Sequence, residues 1–143
     1  MHPETAHLLI VDDSESMRRA ISDVLLELGF RHLDEAADGL EALARFRARS
    51  YDVVITDWNM PRMNGLELLR AIRHEPARAD TPVLILSGEV TSGRVVQALE
   101  AGANGFVAKP FISPALSSKL VQLVSSLPAP RDVAPPLSQP VRP

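Results

Sequence analysis

Short apolar runs alternate along residues 7–127 with stretches in which hydrophobic positions recur every three or four residues. Leu8-Leu9-Ile10-Val11, Val53-Val54-Ile55-Thr56, Val83-Leu84-Ile85-Leu86 and Phe106-Val107-Ala108 are too short for helices and rich in β-branched residues, so they predict strands. The strands expected from this pattern span residues 7–11, 52–56, 82–86 and 105–108. A fifth, at 32–36, is polar enough to suit a sheet edge. The 52–56 run is almost wholly apolar, as a central strand covered on both faces should be. Between the strands, Met17, Ile21, Val24, Leu25 and Leu28 keep helical spacing until Gly29 ends the pattern. Leu40, Leu43, Ala44 and Phe46 follow Asp38-Gly39, and Leu66, Leu69 and Ile72 mark a helix over 65–73. Further helices are expected at 91–101, stopped by Gly102, and at 114–126, with Leu116, Leu120, Leu123 and Val124 facing inward.

Strict β/α alternation predicts an α/β fold with a parallel sheet. Five units in this length describe a small doubly wound sandwich of five strands and five helices, and the flavodoxin-like order 2-1-3-4-5 is taken as its expected topology from the common precedent for such sheets. The expected folded domain is residues 1–127. Residues 128–143 read as a disordered tail or a linker stub, since six of these sixteen residues are proline and none is aromatic.

Composition narrows the class. Of 143 residues, 45% are hydrophobic and 23% charged, which suits one soluble domain. No cysteine is present, so disulfides and thiolate-held metals are excluded, and a cytoplasmic setting is expected. The longest apolar run falls far short of a membrane span, and the N-terminus lacks the pattern of a signal peptide. A net charge of −3 without a Lys/Arg-rich run argues against a nucleic-acid surface.

Candidate chemistry lies at the strand ends. Asp12-Asp13, Asp57, Ser87 and Lys109 each follow one of the four strong runs, and the weak edge run carries nothing comparable. In a 2-1-3-4-5 sheet the carboxyl ends of the strands flank the crevice at the switch point, where ligands of open α/β sheets bind. Each residue alone has a plainer use: Asp12 and Asp13 as helix caps, Asp57 as a turn residue before Pro61, Ser87 as a cap before Glu89, Lys109 as a solvated lysine. Together they form a set of hard oxygen donors with one amine. Clustered carboxylates raise each other's pKa unless a cation compensates, and with no thiolate or nearby histidine that cation is best matched by Mg²⁺. An aspartate can accept a phosphoryl group as an acyl phosphate, with a lysine and a hydroxyl neutralising and orienting it. No second dedicated acid or base is apparent, so slow chemistry and a lasting intermediate are expected rather than enzymatic turnover.

The motifs Val11-Asp12-Asp13, Asp57 with Met60-Pro61 and Gly65, Ser87-Gly88, and Lys109-Pro110-Phe111 resemble the receiver domain of bacterial two-component response regulators, over about residues 7–127. Within that family, Ser16-Met17-Arg18-Arg19 and Asp57-Trp58-Asn59-Met60-Pro61 look like the single-domain, CheY-like chemotaxis type. The resemblance implies that Asp57 is the phosphoacceptor. It implies that Asp13, Asp57 and the Asn59 main-chain carbonyl ligate Mg²⁺, with Asp12 acting through bound water. Lys109 would pair with phosphoryl oxygens, and the Ser87 hydroxyl would move toward them. Phe106 stands at the switch aromatic position, which is often tyrosine, and so offers no hydroxyl to a partner. Asn59 and Glu89 fall at positions that tune dephosphorylation, and the Lys109–Pro110 bond is expected to be cis.

A haloacid-dehalogenase-like phosphohydrolase needs a carboxylate two residues after its nucleophile, where Asn59 stands. A P-loop NTPase lacks its motif here, and a flavodoxin would want a hydroxyl- and glycine-rich loop where this chain has Asp12-Asp13-Ser14-Glu15. An interaction module that has lost phosphorylation is opposed by the intact acidic set. The expected partners are a histidine kinase as phosphodonor and a downstream protein, such as the flagellar motor or another effector, met by a monomer or weak dimer. The output face would be the fourth helix, fifth strand and fifth helix. A stand-alone chemotaxis-type regulator is expected first, with a phosphorelay shuttle or the receiver part of a longer regulator as the alternative.

Overall fold

In a computed structural model, which describes residues 3–109 and 113–125, ten elements alternate along the chain. They are β1 (His7–Val11), α1 (Glu15–Glu27), β2 (His32–Ala36), α2 (Gly39–Ala48), β3 (Val53–Asp57), α3 (Gly65–Arg73), β4 (Val83–Ser87), α4 (Ser92–Glu100), β5 (Gly105–Ala108) and α5 (Ser113–Ser125). All strands are parallel and the order is β2-β1-β3-β4-β5. The expectations for the Lys109–Pro110 bond and the 128–143 tail lie outside the described residues.

Period-two alternation sends the strands' side chains to two cores. Leu8, Ile10, Val53, Ile55, Leu84 and Leu86 pack with Ile21, Val24 and Leu25 of α1 and Leu116 and Leu120 of α5. Leu9, Val11, Val54, Val83 and Ile85 pack with Phe46, Leu69, Ile72 and Ala98 from α2, α3 and α4. Burial on both faces explains why β1, β3 and β4 are nearly continuous apolar runs. The polar edge strand β2 pairs with β1 alone.

Two strands differ from expectation by one residue. β3 runs to Asp57 and β4 to Ser87, each starting one position later than the sequence pattern implies. The ladder causes the shift: Asp57 pairs with Leu86 and Ser87 with Ala108, and the Trp58 amide still donates to the Leu86 carbonyl. Polarity ends the apolar run one residue before the backbone pairing ends. Asp57 and Ser87 are therefore fixed by sheet hydrogen bonds and do not sit on loops.

Helix starts follow local chemistry. Ser14 caps α1 by accepting from the Met17 amide, Asp38 caps α2, and Thr91 caps α4. Asn64 and Glu67 form a reciprocal capping box on α3. Gly29 and Gly102, with φ of 101° and 100°, end α1 and α4 in the left-handed region that favours glycine.

Candidate functional site

The switch point between β1 and β3 opens at the carboxyl ends of the strands, and the acidic residues gather there. Asp12, Asp13 and Asp57 each offer a carboxylate oxygen within 4.8 Å of the others. Asp12 and Asp57 are buried, whereas Asp13 is exposed at the rim. Lys109, just beyond β5, places Nζ 3.1 Å from Asp12 Oδ2 and 3.3 Å from Asp57 Oδ1. One ammonium thus holds the two buried carboxylates.

The balance of charge is incomplete. Burial and the neighbouring Asp12 charge push the Asp57 carboxyl above the ordinary aspartate value, although Lys109 opposes them. Burial acts against the Lys109 cation, but Asp12 and Asp57 together hold its pKa above the usual lysine value. Three carboxylates facing one ammonium suit an added hard cation, and the oxygen-only donor set fits Mg²⁺.

Neighbouring backbone is organised around the same carboxylates. The Ser14 amide donates to Asp12 Oδ1, and Arg18 Nη1 donates to the Asp12 carbonyl while its Nε meets Glu35. Thr56 Oγ1 donates to the Asp57 carbonyl. Gly65 begins α3 against Asp57: its amide donates to the Trp58 carbonyl, and a Cβ at this position would collide with the Asp57 carbonyl oxygen. Between them, Arg62 adopts φ 69° and is tied to Asp38 Oδ2 through Nη2 at 2.6 Å. A shallow depression beside the site is lined by Asp13, Asn59, Met60, Pro61 and Asn64.

Ser87 stands on the adjacent strand, but its hydroxyl is engaged elsewhere. It donates to the Glu89 carbonyl at 3.0 Å and accepts from the Glu89 amide at 3.1 Å, so the plainer turn role is filled. It also accepts from Arg94 Nη1 at 3.0 Å. Arg94 Nη2 reaches Asn59 Oδ1 at 3.3 Å and Glu89 Oε1 at 3.0 Å, and its guanidinium lies 4.6 Å from the Trp58 ring centroid. Phe106 is half-buried, edge-on to Trp58 with ring centroids 6.3 Å apart. The structure therefore brings Asp12, Asp13, Asp57 and Lys109 together, and gathers Ser87, Asn59 and Glu89 around Arg94. Sequence reading did not single out Arg94, and it noted Arg18 only as part of the Ser16–Arg19 stretch, without a role. Gly65 carries a signal in its spacing from Asp57, but Arg94 carries none, because its partners are spread over three segments.

A family model of the response regulator receiver domain matches residues 8–121. The chain is 41% identical over 120 residues to chemotaxis protein CheY-3 of Vibrio cholerae serotype O1, covering 84% of this chain and 92% of that protein. It is 41% identical over 116 residues to chemotaxis protein CheY of Pseudomonas aeruginosa, covering 81% and 94% respectively. The crystallised Vibrio cholerae chemotaxis protein CheY4 superposes with a TM-score of 0.78 at 37% identity, over 84% of this chain and 99% of that one.

Proposed function

Because the chain belongs to the response regulator receiver domain family and is homologous to CheY chemotaxis regulators, we propose that Asp57 is its phosphoacceptor, charged by a histidine kinase in a Mg²⁺-dependent step. The observation that carries this reading is the meeting of Asp12, Asp13 and Asp57 within 4.8 Å, with Lys109 Nζ on the two buried members.

Asp57 is fixed in orientation by the β3–β4 ladder and by Gly65 against its carbonyl. One of its carboxylate oxygens bonds to phosphorus as the P–N bond to the donor histidine breaks. The leaving imidazole takes the electron pair and is protonated from solvent. Asp13, Asp57 and the Asn59 main-chain carbonyl are the groups assigned to Mg²⁺, with Asp12 acting through water. The cation supplies neutralisation of the carboxylates and of the phosphoryl oxygens. Lys109 meets the added negative charge from the other side, and the Ser87 hydroxyl turns toward a phosphoryl oxygen. Hydrolysis of the acyl phosphate then resets the switch. Small phosphodonors can replace the kinase for self-phosphorylation, since positioning is the main contribution of the site.

The output follows from a change of state. A phosphoryl group shifts the equilibrium only by its differential interaction with the two states, and moving it from 1:99 to 99:1 takes about 5.5 kcal/mol. The responding face is α4, β5 and α5, where Val96, Leu99 and Val121 are exposed and Phe106 backs onto Trp58. We assign residues 1–127 to the receiver, 128–143 to a tail or linker, and the whole to a cytoplasmic chemotaxis-type regulator acting on a protein target. None of the described helices is long and apolar enough to cross a membrane.

Trp58 adjoins Asp57 and supplies the test. Adding beryllofluoride with Mg²⁺ is expected to change Trp58 emission saturably in the wild type and not in Asp57→Ala. An identical response in both proteins would refute the assignment.

A further inference from the structure

The Ser87 hydroxyl has one proton and two lone pairs, and all are committed: the proton to the Glu89 carbonyl, the lone pairs to the Glu89 amide and Arg94 Nη1. To donate to a group on Asp57, it must leave the Glu89 carbonyl and be released or followed by Arg94. Arg94 is the restraint with the widest reach. Its guanidinium joins Ser87, Asn59, Glu89 and the Trp58 face, its side chain is only 21% exposed, and its backbone lies in the first turn of α4.

We propose that Arg94 is a positioning residue that latches Ser87 in the unphosphorylated state, holding the hydroxyl and the start of α4 away from the phosphoryl site. The inference rests on the reading of Asp57 as phosphoacceptor. The fork of the guanidinium is what makes the latch effective, because a planar multi-donor group satisfies several acceptors at once where a lysine offers a flexible point charge. A ligand that needs the released state binds with its intrinsic dissociation constant divided by the population of that state. The latch lowers this population and so raises the phosphodonor or analogue concentration needed for switching.

Calorimetric titration of beryllofluoride in saturating Mg²⁺ tests it, using wild type, Arg94→Ala, Arg94→Lys and Asp57→Asn. Arg94→Ala is expected to bind about five- to tenfold more tightly than wild type, the scale of one net hydrogen bond. Arg94→Lys should move in the same direction by less. In the ligand-free protein, Trp58 emission of Arg94→Ala should already depart from wild type, because the cation has left the indole face. A purely structural Arg94 would change the thermal midpoint and leave the dissociation constant alone, which overturns the latch. Weaker binding by Arg94→Ala also overturns it, since the guanidinium would then be a phosphoryl ligand. No binding by wild type removes the phosphoacceptor reading and the latch together. Binding by wild type and not by Asp57→Asn, with no gain in Arg94→Ala, removes the latch alone.

Discussion

Asp57 carries the sharpest conflict in the molecule, a carboxylate buried beside a second buried carboxylate with one ammonium shared between them. Its folded pKa stands above the ordinary aspartate value because burial and the Asp12 charge outweigh Lys109. Over the window between the unfolded and folded values, the native state holds the extra proton, so stability falls as pH rises through it. Asp57→Asn removes that penalty and leaves Lys109 paired with Asp12. Without metal, urea unfolding at neutral pH should show the variant more stable. The difference should vanish below the unfolded aspartate pKa. Adding Mg²⁺ should stabilise the wild type, because a ligand that binds only the native state raises its stability, and should do little for the Asp57→Asn variant. Equal stability of the two proteins at all pH values would mean that the site is already balanced.

At the scale of elements, the strands and helices follow from hydrophobic period, and each chemical group from the strand it ends. What the sequence concealed is long-range backbone satisfaction. Arg73, the last residue of α3, donates to the carbonyls of Ala79, Thr81 and Gly102 and to Asn104 Oδ1. It thereby clasps the loops entering β4 and β5, at the end of the sheet opposite Asp57. In the sequence it reads only as a basic residue in a last helical turn, because carbonyl acceptors carry no residue signature. Arg94 is hidden for another reason: its side-chain partners are scattered over β4 and the loops after β3 and β4. The Asn64–Glu67 box was legible in principle from its N-x-x-E spacing. Asp57 and Ser87 were placed one residue outside their strands because polarity ends a pattern before pairing ends a ladder. Arg73→Met should lower stability by about 2 kcal/mol in chemical denaturation, leaving three partly buried carbonyls short of donors. An unchanged midpoint would show that water replaces the clasp without loss.

Over the whole molecule, input and output share one set of connections. The acidic cluster sits at the β1–β3 switch point, Ser87 is the last residue of the neighbouring β4, and Arg94 carries its hydrogen bonds into α4. α4 buries only Ala98 among its residues, while Val96 and Leu99 are exposed. A helix so lightly anchored is suited to shift when its first turn is released, because mobile elements come from the low-stability end of a fold. α3, with five buried residues, is suited to hold Asp57 still. On the proposed reading, the arrangement receives a phosphoryl group on one carboxylate. Incubation with acetyl phosphate and Mg²⁺, followed by intact mass measurement and borohydride trapping to locate the acyl phosphate, tests it most directly. The expected result is a gain of one phosphoryl group, trapped at Asp57, dependent on Mg²⁺ and lost in Asp57→Asn. No mass gain in the wild type, or an undiminished gain in Asp57→Asn, would contradict it.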